Sequence, residues 1–449
     1  MEKRGSFGSK LGAVLTAAGA AVGLGNIWRF PTEVGTHGGA AFILIYLACV
    51  VFVGMPVMVS EFVIGRSTRK NAIGAFRQLS DNCFWRNIGV QGVGVAFLIL
   101  CYYVVVSGWT LFYGVSSLAG QLQGARDYEA FFHDFVGSWW MPVVAALVFM
   151  LVVHWVVVRG VKEGIERASK VMMPMLLLII GLLVICSFSM SGFPQGFDFL
   201  LKPDFSKVNV DAVLSAMGQS FYSLSLAMGG LVTYSSYFTG DTNLMKTSFS
   251  IAGVDTSVAI LSGFVIFPAV FTAGVSPDAG PSLVFITLPN VFNMAFSQVP
   301  LLSYIFSGLF YLLLFLAALT SCISLHEPVT AYLSEEYGLS RRRAAWVVTS
   351  VAGLVSVGCA LSFGPLKGLL IGGMSLFDLF DFVTAKLILP LGGVLITVFV
   401  GRVMDRRLVE QELSNQGRLR VPLLRVWLLL VRWVSPAAIV LVFINELFG

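Results

Sequence analysis

Residues 20–31 read AAVGLGNIWRFP and lie inside the first apolar segment of the chain. The two glycines, Asn26, Arg29 and Pro31 are costly choices for a membrane helix. Glycine weakens a helix by about 1 kcal/mol and proline by about 3 kcal/mol, and an arginine near the bilayer centre costs about 2.5–3.5 kcal/mol. Such residues are tolerated where a helix is broken and its freed backbone groups line a cavity. The stretch therefore predicts a binding site at a helix break, with a kinked helix and a packed arginine as the alternative.

The composition predicts an integral membrane protein. Hydrophobic residues make up 57% of the chain and charged residues 12%, and the mean hydropathy is +0.86, far from the averages of soluble domains. We expect one helical membrane domain over residues 1–449. The basic residues lie in loops on one side, so the net charge of +5 does not indicate binding to nucleic acid. The cysteines are scattered without a CxxC pair, which favours neither a disulfide framework nor a metal site.

A hydropathy window of about 19 residues predicts about eleven spans. The basic start of the chain resembles a signal peptide, but it lacks a cleavage site, and we interpret the first segment as a retained helix. Residues 281–296 are too short and too interrupted by proline to span, which predicts a re-entrant or capping helix. The predicted spans are 11–31, 40–65, 88–120, 140–158, 166–188, 211–239, 248–273, 302–334, 343–362, 369–400 and 424–447.

The distribution of basic residues predicts the orientation of these spans. With the N-terminus in the cytoplasm, most basic residues fall in cytoplasmic loops, as the positive-inside rule requires, and an odd number of spans places the C-terminus outside. By analogy we expect the inner (plasma) membrane of a prokaryote. The cytoplasmic group is Arg66, Arg69, Lys70, Arg77, Arg86, Arg159, Lys162, Arg167, Lys170, Arg341, Arg342, Arg343, Arg402, Arg406, Arg407, Arg418 and Arg420, and the outer group is Arg126, Lys202, Lys207 and Lys367.

A second broken segment lies in the sixth span, where residues 219–237 read QSFYSLSLAMGGLVTYSSY. Its serines and paired glycines interrupt an otherwise apolar helix. Because the two breaks are five helices apart, they predict a five-plus-five inverted repeat over about 8–190 and 208–403, with an extra helix at about 422–447. Interrupted helices in corresponding positions indicate a transporter site near the middle of the membrane.

These motifs resemble the neurotransmitter:sodium symporter family, in its LeuT-like bacterial branch. The resemblance rests on AVGLGNIWRFP (21–31), PVMVSEFVIGR (56–66), SFYSLSLAMGG (220–230) and LTSCIS (319–324). It implies an all-α polytopic membrane protein with the LeuT-like five-plus-five repeat and unwound helices 1 and 6. Some bacterial members of the family also have eleven helices.

The resemblance also implies where a substrate would bind. The amides near Leu24 and Gly25 and the hydroxyl of Tyr103 would hold a substrate carboxylate, because amides at a helix N-terminus attract anions. For Tyr103 an interfacial aromatic role is the alternative. The remaining pocket is mostly apolar without a fixed charge, which favours a hydrophobic or neutral substrate. By resemblance its residues are Ala21, Gly23, Ile99, Val106, Tyr222, Ser223, Ser225, Met228, Ser321 and Leu325.

Two sodium sites follow from the same resemblance. Carbonyl and hydroxyl oxygens suit a hard cation, although a Thr-Ser pair in a helix more often bonds back to its own backbone. Site 1 would use Ala21, Asn26, Ser223 and Asp255, and site 2 would use Gly19, Val22, Ala317, Thr320 and Ser321.

Two positions refine the expected function. Many relatives carry an amide where this chain has Asp255, and some of those need chloride as a countercharge, so we expect chloride-independent transport here. Monoamine-transporting relatives place an aspartate where this chain has Gly23, so the glycine favours amino acids over amines.

The resemblance implies two gates and a structural carboxylate. Arg29 with Asp381 would form the external gate, with Asp378 as the competing partner. Lys386 either pairs with Asp381 or reaches the interface. Glu61 is expected to bond the unwound backbone of the sixth span, since carboxylates inside a membrane are functional by default. The internal gate would comprise Arg4, Glu335, Ser236 and Tyr237.

Together these features predict a sodium-coupled symporter that imports a hydrophobic or neutral L-amino acid by alternating access, with two sodium ions. A sensing receptor of the same fold and a transporter of another small zwitterion are the alternatives. We see neither a nucleophile–base pair nor metal-ligand spacing, so we expect no enzyme. The lipid bilayer and the small-molecule substrate are the expected partners, and the sequence leaves the oligomeric state open.

Overall fold

The computed structural model describes residues 5–123, 127–274, 283–296 and 299–448, and these residues are mostly helical. Eight described helices are long and apolar enough to cross a membrane, and two bent helix pairs bring the number to ten. The shorter broken pair α10/α11 completes the predicted eleven. The helices are α1 (Lys10–Ala21), α2 (Gly25–Thr36), α3 (Ala40–Thr68), α4 (Ala72–Leu79), α5 (Cys83–Leu118), α6 (Tyr128–Gly137), α7 (Met141–Val157), α8 (Val161–Ser187), α9 (Phe193–Leu201), α10 (Val210–Ser223), α11 (Gly230–Ser235), α12 (Leu244–Ala273), α13 (Val284–Ala295), α14 (Pro300–Glu336), α15 (Arg341–Leu361), α16 (Leu376–Val403), α17 (Arg406–Leu413) and α18 (Leu424–Glu446).

The first helix is broken where the sequence predicts. Helix α1 ends at Ala21, and Val22 has an extended backbone with φ −69° and ψ 112°. Helix α2 then continues at an angle of 55° to α1. The predicted break is therefore confirmed.

The sixth span is also broken, between α10 and α11. Ser225 (φ 52°) and Ala227 (φ 61°) adopt the left-handed backbone region, as does Gly229 (φ 68°). A left-handed conformation costs an ordinary L-residue roughly 1–2 kcal/mol. The break is thus a defined turn that contacts outside the segment must hold in place.

The two longest helices, α5 and α14, form the centre of the molecule. In their most apolar stretches, 67% and 78% of the residues are buried inside the protein. Helix α1 packs against α8, α12 and α14. The freed backbone groups of the first break are therefore enclosed by protein rather than by lipid, which is the condition for tolerating them.

The sequence analysis did not predict the short helices α4, α6, α9 and α17, because a window of about 19 residues averages them with their polar surroundings. In the segment predicted to be re-entrant, the described residues form the short apolar helix α13, while residues 281 and 282 lie outside the described part of the chain. The membrane orientation and the repeat boundaries stay predictions.

Candidate substrate and cation site

Asn26 joins the two helix breaks. Its side-chain amide donates to the Asp255 carboxylate at 2.7 Å and to the Ser223 hydroxyl at 3.2 Å. Its side-chain oxygen accepts the backbone N–H of Gly23 at 2.9 Å. Three of the residues predicted for sodium site 1 therefore lie within hydrogen-bond distance of one another, and the fourth, Ala21, lines the cavity beside them.

Asp255 is a fully buried carboxylate with neutral neighbours. It accepts hydrogen bonds from Ser223 at 2.8 Å and from the hydroxyl of Tyr46 at 3.5 Å. Within the described residues no lysine, arginine or histidine nitrogen lies within 4.0 Å of it. A buried ion is costly unless it is paired, and the surrounding oxygens are those that a hard cation prefers. The donor set therefore fits an alkali cation.

The residues predicted for sodium site 2 also come together. The carbonyl of Val22, at the broken end of α1, accepts the hydroxyls of Thr320 and Ser321 at 3.3 Å each. A Cβ atom on Gly19 would lie 3.4 Å from Thr320. Thr320 also bonds back to the carbonyl of Ala317 at 3.0 Å, the local bond that a helical threonine commonly makes. The ligand role of this group stays a prediction.

A narrow inner cavity of about 30 Å³ lies between the two breaks, with room for a water or two. Of the residues predicted for the substrate site, Leu24 and Val106 line the larger outer cavity instead. The backbone N–H of Leu24 donates to the Tyr103 hydroxyl at 3.0 Å. The inner cavity is lined by Ala20, Ala21, Gly23, Gly25, Asn26, Ile99, Tyr103, Tyr222, Ser223, Ser225, Met228, Ser321, Ser324 and Leu325.

Tyr222 lines both this cavity and an outer cavity of about 450 Å³, as do Gly25 and Tyr103. The guanidinium of Arg29 lies over the Tyr222 ring, 4.7 Å from its centre. Gly25, Tyr103 and Tyr222 therefore lie at the boundary between the two cavities.

The residues predicted for the external gate line the outer cavity but do not form an ion pair with each other. Arg29 pairs with Glu33 at 3.6 Å. Asp378 and Asp381 also line this cavity, and neither has a carboxylate oxygen within 4.0 Å of an Arg29 nitrogen. Lys386, whose partner the sequence left open, pairs with Glu446 of α18 at 3.2 Å. Closure of the Arg29–Asp381 gate stays a prediction.

The internal gate is described only in part, because Arg4 lies outside the described residues. Glu335 accepts the backbone and side-chain N–H groups of Asn71 at 2.9 Å each. Ser236 is buried, directly follows α11 and donates to the backbone carbonyl of Thr233 in that helix. The hydroxyl of Tyr237 donates to Glu327 at 2.8 Å.

The sequence analysis did not predict two ion pairs near the internal-gate residues. Glu327 is fully buried and forms an ion pair with Arg341 at 2.5 Å, and the carboxylate of Glu327 inside an apolar helix was the available signal. Asp241, in the loop before α12, pairs with Lys10 at 2.6 Å, and this bond, aided by the hydroxyl of Thr239, lowers the pKa of Asp241 to about 2. The Lys10–Asp241 pair links the start of α1 to the loop that follows α11, and the Glu327–Arg341 pair links α14 to α15.

Glu61 holds the break in the sixth span, since its carboxylate accepts the backbone N–H of Ala227 at 2.7 Å. Glu61 is completely buried. Ser235 of α11 also donates to the Glu61 carbonyl at 3.3 Å. The Glu61 carboxylate thus replaces the backbone carbonyl that would accept the Ala227 N–H in an unbroken helix.

Replacing Glu61 with alanine is expected to lower the free energy of unfolding by about 1–3 kcal/mol, because the buried N–H of Ala227 loses its acceptor. Glu61→Gln keeps an acceptor oxygen and should lose less. Thermal unfolding of the purified protein in detergent measures both, with the exposed Glu163→Ala as control. Equal destabilisation by alanine and glutamine would contradict the assigned bond.

The fold and the site together define a class of protein. Membrane-length helices broken at two adjacent places, around an enclosed cavity rich in oxygen donors, are the architecture of secondary transporters with discontinuous helices. The chain belongs to the sodium:neurotransmitter symporter family, whose profile matches residues 4–134 and 134–448.

Individual relatives agree with this assignment. The chain is 37% identical to the uncharacterized sodium-dependent transporter YhdH of Bacillus subtilis, over 99% of this chain and 98% of the relative. It is 29% identical to the rat sodium-dependent neutral amino acid transporter B(0)AT3, over 59% of this chain and 48% of the relative. The crystal structure of MhsT in complex with L-phenylalanine matches with a TM-score of 0.89 and 39% identity, over 99% of this chain and 100% of that chain. The predicted LeuT-like fold is confirmed.

Proposed function

We propose that this protein is a sodium-coupled symporter of hydrophobic or neutral L-amino acids. The observation that carries the proposal is the buried Asp255 carboxylate, which has neutral hydrogen-bond donors and no described cationic partner within 4.0 Å. A sodium ion at this position would compensate the charge. It would also lie beside the inner cavity, where a substrate carboxylate could complete its coordination.

The substrate class follows from the shape of the inner cavity. A Cβ atom on Gly23 would lie 2.5 Å from the Ser321 hydroxyl and 3.1 Å from the Tyr103 hydroxyl. The glycine therefore keeps open the space that a substrate carboxylate would occupy. Ile99, Met228 and Leu325 supply an apolar wall, against which a charged side chain would be unpaired. The L-phenylalanine in the MhsT complex is an amino acid of the size and polarity that we propose for the substrate of this protein.

Two sodium ions are sufficient to drive accumulation. Moving one charge through 100 mV releases about 2.3 kcal/mol. A zwitterionic substrate adds no net charge, so two ions supply about 4.6 kcal/mol, or roughly three decades of concentration. We infer that the broken helices and their surroundings rock around a fixed site, the mode of access typical of this architecture.

Counterflow in proteoliposomes tests the proposal. Vesicles loaded with unlabelled L-phenylalanine or L-leucine should accumulate the labelled amino acid in sodium buffer and not in choline buffer. Phenylethylamine, which lacks the carboxylate, should not compete, and neither should lysine. Sodium-dependent binding without counterflow would instead support the amino-acid sensor of the same fold. Counterflow that is unchanged without sodium would contradict the proposal.

Chloride independence is part of the same proposal. Asp255 already supplies a negative charge beside the first cation site, so a chloride ion has no charge to balance there. We expect equal initial rates of sodium-driven uptake in chloride and gluconate buffers. A rate in gluconate that is a small fraction of the rate in chloride would contradict this assignment.

A further inference from the structure

Helices α16 and α18 meet at two π-helical turns, Phe399–Val403 and Leu430–Val434. The contact is close, since a Cβ atom on Gly401 would lie 3.0 Å from the Arg432 side chain. Turns of this type leave backbone carbonyls without their usual helical partners and occur often at functional sites. Here two arginines supply the missing donors.

The two arginines bond across the contact in opposite directions. Arg432 donates to the carbonyl of Gly401 at 2.6 Å, and Arg402 donates to the carbonyl of Arg432 at 3.1 Å. The Arg402 guanidinium also lies 4.3 Å from the centre of the Trp433 ring. A guanidinium carries five N–H donors, and these bonds to described residues engage one on each arginine.

Neither arginine has a carboxylate within 4.0 Å among the described residues. Of the acidic residues that follow Arg402 in the chain, Asp405 accepts the backbone N–H of Arg407, Glu410 pairs with Arg406 and Glu412 pairs with Arg66. Arg402 and Arg432 therefore place two positive charges and several unused N–H donors on the outer surface of the protein.

The surroundings of the two charges are apolar. Trp433 is 64% exposed and Leu429 is 56% exposed. Arg432 lies about 12 Å along the helix axis from Leu424, at 1.5 Å per residue, so it is well inside the apolar length of α18. Arg402 lies one residue before the end of α16. Charged groups in such positions are stabilised by backbone carbonyls or by an opposite charge, and arginine binds phosphate through paired N–H groups.

We propose that Arg402 and Arg432 bind the phosphate of an anionic phospholipid, whose acyl chains lie along the exposed side chains of Leu429 and Trp433. The apolar rim favours a lipid over a free phosphate ion, because an ion would bury no apolar surface there. Basic pockets between membrane helices are known to bind anionic headgroups. This inference does not depend on the transported substrate.

Native mass spectrometry of the detergent-purified protein tests the site, with phosphatidylglycerol and phosphatidylcholine as probes. The wild type is expected to prefer phosphatidylglycerol by roughly thirtyfold, or about fivefold for each arginine. The variant R402A/R432A should lose this preference. The matched control R418A/R420A removes two exposed arginines from the following loop and should keep it.

Three results would overturn the proposal. An equal loss in the control would show a general effect of surface charge. Displacement of the lipid by millimolar inorganic phosphate would show an ion site. If R402A/R432A does not fold, R402A alone leaves the Arg432–Gly401 bond in place and should bind phosphatidylglycerol about fivefold more weakly. Unchanged binding by R402A would refute the site.

Discussion

Replacing Asp255 with asparagine is expected to weaken sodium-dependent substrate binding by roughly a hundredfold or more. Removing one charge of a buried ion pair typically costs 3–5 kcal/mol, and we propose that the bound sodium is the partner of this carboxylate. Asparagine nearly preserves the side-chain volume, so the loss would report the charge. Binding of labelled amino acid, measured over a range of sodium concentrations, gives the shift in apparent sodium affinity.

The matched control is Asp211→Asn, which removes an exposed carboxylate at the start of α10 and should leave the sodium dependence unchanged. Tyr46→Phe removes a single donor to Asp255 and should have an intermediate effect. The Asp255→Asn variant is also the one expected to respond to chloride, because its cavity lacks an anion. A sodium dependence equal to that of the wild type would exclude Asp255 as a ligand.

Replacing Gly23 with alanine is expected to weaken amino-acid binding by roughly a hundredfold. The added Cβ would lie 2.5 Å from the Ser321 hydroxyl and 3.1 Å from that of Tyr103. Overpacking of this kind costs typically 1–3 kcal/mol, and the methyl group would also fill the space that we assign to the substrate carboxylate. Equilibrium binding of L-phenylalanine and L-leucine measures the loss.

Gly94→Ala is the control for a glycine in a membrane helix, because a Cβ atom there meets nothing within 4 Å. It should bind substrate like the wild type. The double variant Gly23→Ala/Ser321→Ala removes the 2.5 Å contact between the added Cβ and the Ser321 hydroxyl. Its substrate binding therefore separates the effect of overpacking from the loss of space for the substrate carboxylate. Wild-type binding by Gly23→Ala would place the substrate elsewhere.

The fold could be predicted because its decisive signals are local. Glycines, a proline and an arginine within one apolar segment mark a break without knowledge of the rest of the chain. The resemblance then named Asn26, Ser223 and Asp255 as one group, and the structure places them within hydrogen-bond distance. Their role as sodium ligands stays a prediction.

The remaining features could not be predicted because they depend on distant contacts. Tyr46 lies in an apolar helix with no polar neighbour to distinguish it, and its partner Asp255 is 209 residues away. Lys386 forms an ion pair with Glu446 on the last helix, although Asp381 is nearer in sequence. Arg29 pairs with Glu33, one turn further along the same helix, where the resemblance favoured Asp381.

The turn between α10 and α11 has a mechanical consequence. Ser225 and Ala227 are held in left-handed geometry by hydrogen bonds to Ala20 and Glu61, at 2.9 Å and 2.7 Å. Each residue stores roughly 1–2 kcal/mol of strain in this arrangement. Any rearrangement that moved these residues out of the left-handed region would therefore release this free energy. Ala227→Gly would remove the strain at this position, because glycine adopts the left-handed region without that penalty. It would leave the cavity lining unchanged, since Ala227 lines neither cavity.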